Sequence, residues 1–202
     1  MNEIIFAIIG YLSGSIPFGL LLTRAAGLGD VRSIGSGNIG ATNVLRTGNK
    51  KIAALTLLCD GLKGFFPVLA AGFWGGELAP LAAGFGALAG HIFPVWLKFK
   101  GGKGVATGLG VLFGWNWLLG LAFVIAWLGT FFITRISSAS ALIAALLAIP
   151  VSYVIGKTAG DGTTIIVWSV ALLALVIWVT HHANIRRLVK GEEPKSSFSK
   201  KT

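Results

Sequence analysis

The sequence predicts an all-α, polytopic membrane protein with seven transmembrane helices, one of them short, its N-terminus outside and its C-terminus cytoplasmic. Hydrophobic residues occupy 54% of the 202 positions and charged residues only 12%, with a mean hydropathy of +0.81; that leaves too little polar surface to coat a water-soluble globule. The apolar residues fall into stretches that meet or approach the roughly 20 needed to cross a bilayer as a helix. Lys and Arg, which give a formal net charge of +10, gather between those stretches, as cytoplasmic loops require. This clustering favours anionic lipid headgroups and phosphorylated ligands as partners, and disfavours nucleic acid.

Residues 4–23 form the first apolar stretch, read as a retained span because Glu3 precedes it and no basic n-region does. Residues 52–74 and 78–97 follow. Residues 104–134 contain no charge, yet one helix of that length would measure about 46 Å against a hydrocarbon core of about 30 Å. Placing the basic clusters at 24–51, 98–103 and 186–201 on one side resolves this. The stretch divides into a short helix, 105–113, a turn at Gly114-Trp115-Asn116, and a longer helix, 117–134. A re-entrant 104–134 would put the same clusters on the same side. Residues 139–156 and 163–180 complete the set. Gly10 with Gly14, and Gly86 with Gly90, sit at the spacing that lets membrane helices approach closely. Residues 1–193 read as one membrane domain and 194–202 as a polar tail. The lone Cys59 precludes an intrachain disulfide and reads as packing.

Three polar segments interrupt the apolar chain. In Gly35-Ser36-Gly37-Asn38-Ile39-Gly40-Ala41-Thr42-Asn43, glycines allow backbone N–H groups to converge on an anion, Ser36, Asn38, Thr42 and Asn43 add hydrogen-bonding side chains, and Arg46 adds a bidentate fork. The competing account is a loop with helix caps. The dinucleotide fingerprint that Gly35, Gly37 and Gly40 formally match does not apply between two membrane spans. In Lys100-Gly101-Gly102-Lys103-Gly104, ammonium groups and small residues stand just before a helix whose N-terminus favours an anion. At the end of the last span, His181 and Asn184 are i and i+3, so they share a face if the helix continues through them. Asp60 and Lys63, again i and i+3, suit an intramembrane ion pair that orients helices. His91 reads as packing or helix-to-helix hydrogen bonding. Ser138, with Ser137 and Ser140, either caps the helix that follows Arg135 or reaches a ligand.

A Ser/His/Asp elbow and a Cys/His nucleophile pair are missing from the sequence, as is a carboxylate pair with metal-ligand spacing outside Glu192-Glu193. A reaction at such a site needs little chemical activation from the protein.

Taken together, Gly35 to Asn43 with Arg46, Gly90-His-Ile-Phe-Pro-Val95 followed by Phe99 to Thr107, Asp60-x-x-Lys63-Gly64, and His181 with Asn184 and Glu193 resemble the bacterial acyl-phosphate:glycerol-3-phosphate acyltransferases of the PlsY family. The matching pieces keep the family's order and cover roughly a quarter of the chain. The resemblance implies transfer of a fatty acyl group from acyl phosphate to the 1-hydroxyl of glycerol 3-phosphate, giving lysophosphatidic acid and inorganic phosphate. It implies a direct attack without an acyl-enzyme, no metal or coenzyme A, and a bacterial inner-membrane enzyme whose site faces the cytoplasm. It carries over Ser36, Arg46, Lys103, His181 and Asn184 as catalytic contacts. Around them, Gly35, Gly37, Asn38, Gly40, Thr42, Asn43, Lys100, Gly101, Gly102, Gly104 and Ser138 become substrate-binding candidates. Two other classes remain as alternatives. An organic-phosphate transporter would also combine spans with basic phosphate sites; a CDP-alcohol phosphotransferase would need clustered aspartates, whereas Asp30, Asp60 and Asp161 are scattered.

Overall fold

The computed structural model describes residues 2–158 and 163–195, and every regular element among them is helical. Five helical stretches are long and apolar enough to cross a membrane, and a sixth qualifies as a bent pair. Residues 196–202, most of the expected tail, lie outside the described residues. The chain forms two compact units, one up to Trp115 and one from Asn116 onward.

In the first unit, α1 (Asn2–Gly14) and α2 (Phe18–Ala25) together make the first span. The break between them falls at Ser15, Ile16 and Pro17; Pro17 has no N–H to continue the ladder, and its carbonyl instead accepts from Leu20 and Leu21. Then come α3 (Ala41–Val44), α4 (Lys50–Trp74), α5 (Ala79–Ile92) and α6 (Val105–Trp115). Asn49 starts α4 by accepting from Ile52 N–H at 3.1 Å.

Small residues fix how these helices meet. A Cβ on Gly10 or Gly14 would fall on the carbonyls of Ala83 or Ala87, and one on Gly86 or Gly90 would fall on those of Ala7 or Tyr11. The two glycine pairs singled out from spacing therefore belong to one interface, where each helix supplies the gaps that the other's backbone fills. The same device joins α6 to α4, where a Cβ on Gly110 would strike Gly61 O. With 11 residues, α6 is about 16 Å long, well short of the hydrocarbon core.

The second unit contains α7 (Trp117–Thr134), α8 (Ser137–Thr158), α9 (Thr163–Thr180) and α10 (His182–Val189). The expected division of 104–134 is present, although α6 runs two residues further than expected and Asn116 alone makes the break. Its side chain accepts from Leu118 N–H at 2.9 Å, capping α7. Helix α8 packs between α7 and α9. Helix α10 bends away from α9 by 67°, so the straight continuation through His181 and Asn184 does not occur.

Candidate active site

In the first unit, the glycine-rich stretch after α2 is a tight loop seated on a small apolar core of Leu20, Val31, Ile39, Val44 and Ala53. Asp30 introduces it, accepting from the guanidiniums of Arg32 (2.6 Å) and Arg24 (2.9 Å). The Arg32 hydrogen bonds hold the Asp30 carboxyl well below the usual carboxylate range. Asn43, 2% exposed, organises the loop. Its Nδ2 donates to the carbonyls of Val31, Ile34 and Asn38 at 2.8, 3.1 and 2.8 Å, and its Oδ1 accepts from Ser36 N–H at 3.1 Å. Asn38 accepts from Gly40 N–H at 2.8 Å, an Asx turn. Gly35 has φ +54°, and a Cβ there would press on Asn43 Oδ1 and on the Arg46 side chain at 2.7 Å from Cδ. Arg46 thus lies over Gly35, and Ser36, Thr42 and Arg46 are exposed around it.

The second loop joins α5 to α6. Gly101 and Gly102 donate their N–H groups to the carbonyls of Ile92 and His91, both at 3.0 Å, closing the C-terminal end of α5. Just before them, Lys98 and Phe99 hold φ of 53° and 61°, a left-handed conformation that bulky residues seldom adopt. Lys100 is exposed and Lys103 half-buried, with Lys103 separated only by Gly104 from the first turn of α6.

These bonds correct the expectation of converging amides. The N–H groups of Ser36, Gly37, Gly40, Gly101 and Gly102 all point inward, to Asn43, Ile34, Asn38, Ile92 and His91. Glycine serves here for close packing and for φ > 0, and the groups whose charge suits an anion are the side chains of Arg46, Lys100 and Lys103 rather than these amides.

In the second unit, His181 and Asn184 sit at the α9–α10 bend with 3% and 5% exposure. His181 Nδ1 lies 2.7 Å from Ile177 O; because a carbonyl only accepts, Nδ1 carries the hydrogen, which makes Nε2 the acceptor in the neutral ring. His182 is exposed. Asn184 donates to Glu193 Oε1, which also accepts from Ser138 Oγ at 2.7 Å, while Arg187 Nε donates to Oε2 at 2.6 Å. Burial of Glu193 opposes ionisation, but the hydrogen bonds from Asn184, Ser138 and Arg187 outweigh it and draw the carboxyl below its ordinary range. Ser138 therefore starts α8 with its hydroxyl committed to Glu193. In the sequence Glu193 stands out only among the residues that carry the resemblance; Glu192 beside it has the same side chain, so residue type alone does not show which of the two ties these helices together.

Known proteins match along nearly the whole chain. The family model described as glycerol-3-phosphate acyltransferase matches residues 4–191. The glycerol-3-phosphate acyltransferase of Agrobacterium fabrum is 61% identical over 191 residues, 94% of this chain and 89% of that one. That of Brucella canis is 56% identical over 188 residues, 93% and 90% of the two chains. The crystal structure of PlsY, an integral membrane glycerol 3-phosphate acyltransferase, superimposes in its glycerol 3-phosphate form with a TM-score of 0.86 and 35% identity, covering 98% of this chain and 96% of that one. Its lysophosphatidic acid form gives 0.85 and 34%. The chain belongs to the PlsY-type glycerol-3-phosphate acyltransferase family of integral membrane proteins.

Proposed function

We propose that this protein transfers a fatty acyl group from acyl phosphate to the 1-hydroxyl of glycerol 3-phosphate at the cytoplasmic face of a bacterial inner membrane. The observation that carries this reading is the placement of Arg46 over Gly35, with Ser36 and Thr42 exposed beside it, on a chain of this family. A guanidinium held over a glycine turn matches a phosphate in both charge and geometry.

An acyl phosphate is a mixed anhydride, so its carbonyl carbon is already activated. The glycerol hydroxyl oxygen forms the new C–O bond, the bond from that carbon to the phosphate oxygen breaks, and inorganic phosphate leaves with the electron pair. The hydroxyl proton passes to a phosphate oxygen of the substrate. Arg46, Lys100 and Lys103 hold the phosphates and offset charge as it develops. In the second unit, Asn184 and His181 have the chemistry to orient a hydroxyl, and fixing such an approach supplies much of the rate of a direct attack. Membrane lipid solvates the acyl chain.

Purified protein incubated with synthetic acyl phosphate and glycerol 3-phosphate, without metal or thioester, should release phosphate and lysophosphatidic acid in equal amounts. Glycerol 3-phosphate counterflow in proteoliposomes with no lysolipid formed would overturn the enzyme reading in favour of a transporter.

A further inference from the structure

Behind the second glycine loop lies a buried polar cluster for which the acyl-transfer chemistry has no use. Asp60 and Lys63 of α4 pair at 2.7 Å with side chains 2% exposed, and Lys63 Nζ also donates to Ile16 O at 2.7 Å, in the break between α1 and α2. His91, in the last turn of α5 and 3% exposed, presents Nδ1 at 3.9 Å from Asp60 Oδ1. That distance exceeds a hydrogen bond, and Nδ1 has no hydrogen-bond partner. An imidazole kept in the apolar interior with a nitrogen unsatisfied costs free energy that an aliphatic side chain would not.

The opposite edge of the ring shows what it does. The three atoms nearest a Cβ built on Gly102 are all imidazole atoms: Nε2, in collision, then Cε1 at 2.9 Å and Cδ2 at 3.0 Å. Gly102 does not have a positive φ, so the ring, and not the backbone conformation, excludes a side chain there. The Gly102 N–H also donates to the His91 carbonyl at 3.0 Å. One residue thus holds the loop by its backbone and stops it by its ring, directly before Lys103.

We propose that His91 is a positioning residue: with the Asp60–Lys63 pair behind it, its imidazole edge is the stop against which Gly102 rests, and so sets where Lys103 presents its ammonium. This deepens the acyltransferase reading and rests on it for the choice of substrates.

The test is a double-mutant cycle on the full-length chain in detergent, with Gly102→Ala, His91→Ala and the pair, reading KM for both substrates, kcat and Tm. Gly102→Ala alone should push the loop off the ring, raising KM for a phosphate substrate about 10-fold or more, whether or not kcat also falls. His91→Ala opens the space that the new methyl needs, so the double variant should recover a large part of that loss in KM and lower Tm less than the two singles summed. Losses that multiply in KM and add in Tm would overturn the proposal, as would a Gly102→Ala effect confined to kcat. If His91→Ala does not fold, His91→Asn, which withdraws the ring edge but keeps a polar group toward Asp60, gives the same cycle. An inactive wild type would refute the acyltransferase reading, and the Tm coupling would still decide whether Gly102 rests on His91.

Discussion

Replacing Glu193 by Ala removes the one group on which Ser138, Asn184 and Arg187 converge. A hydrogen bond to a charged group contributes about 1.5–3 kcal/mol. Arg187 has a side chain 37% exposed, so its share lies near the 0–1 kcal/mol of a surface pair. The two donors on Oε1 are buried, and the bonds share an acceptor and are not additive. The expected cost is about 3–5 kcal/mol, which for a chain of this size lowers Tm by roughly 6–20 °C. Ser138→Ala, losing one bond, should cost about 1–2 kcal/mol. Because the carboxyl is drawn below its ordinary range in the folded state, its contribution is complete above the unfolded carboxylate pKa and is lost as pH falls through the folded one. Differential scanning fluorimetry in detergent from pH 7 to pH 3 reads both effects. The wild-type advantage over Glu193→Ala should be constant near neutrality and shrink on the acid side. A Glu193→Ala variant melting within about 2 °C of wild type at pH 7 would refute the claim that this carboxylate ties α8 to the α10 end.

Arg46→Ala and Lys103→Ala should each remove about 1.5–3 kcal/mol of substrate or transition-state binding, a 10- to 150-fold fall in kcat/KM by steady-state phosphate release; near-normal activity in both would overturn the site assignment. Arg46→Lys should recover little, because a point charge cannot reproduce the planar fork. Asn43→Ala strips the first loop of its central acceptor and donors, and should lower both Tm and kcat/KM, the latter at least as much as Arg46→Ala; a variant melting normally with an unchanged KM would show that the loop holds its shape without it. Gly86→Val drives a side chain into the Ala7 carbonyl, and should cost several kcal/mol by overpacking, seen as loss of monodisperse protein on size exclusion. Gly72→Ala, where an added Cβ meets nothing within 4 Å, is its neutral control.

Much of this architecture was legible because its signals are local. Asn116 caps α7 with its own side chain, and the excess length of an uncharged stretch demanded a break there. The glycine pairs on α1 and α5 announced a close approach by spacing alone, although not that each faced the other. What stayed hidden depends on partners distant in sequence. Whether the Gly101 and Gly102 amides face a ligand or a helix end is decided by the carbonyls of His91 and Ile92, which glycine content cannot reveal. Asn43 has the same donors and acceptor whether it binds substrate or its own loop, so type alone did not separate the two roles. The bend at His181 carries neither Pro nor Gly, the usual marks of a broken helix. Glu193 acquires its meaning only when the chain folds back upon Ser138, 55 positions earlier.

The reciprocal glycine seam between α1 and α5 also has a consequence for assembly. Tyr11 donates to Phe93 O across 82 positions, so during synthesis α1 must wait for its mate while α4 is made and inserted. At 5–20 residues per second that interval lasts roughly 4–16 s. Throughout it, the strip of backbone at Gly10 and Gly14 lacks the Ala83 and Ala87 carbonyls that fill its notches in the fold. Biogenesis, more than the finished fold, is where a bulkier residue on that strip would first be felt.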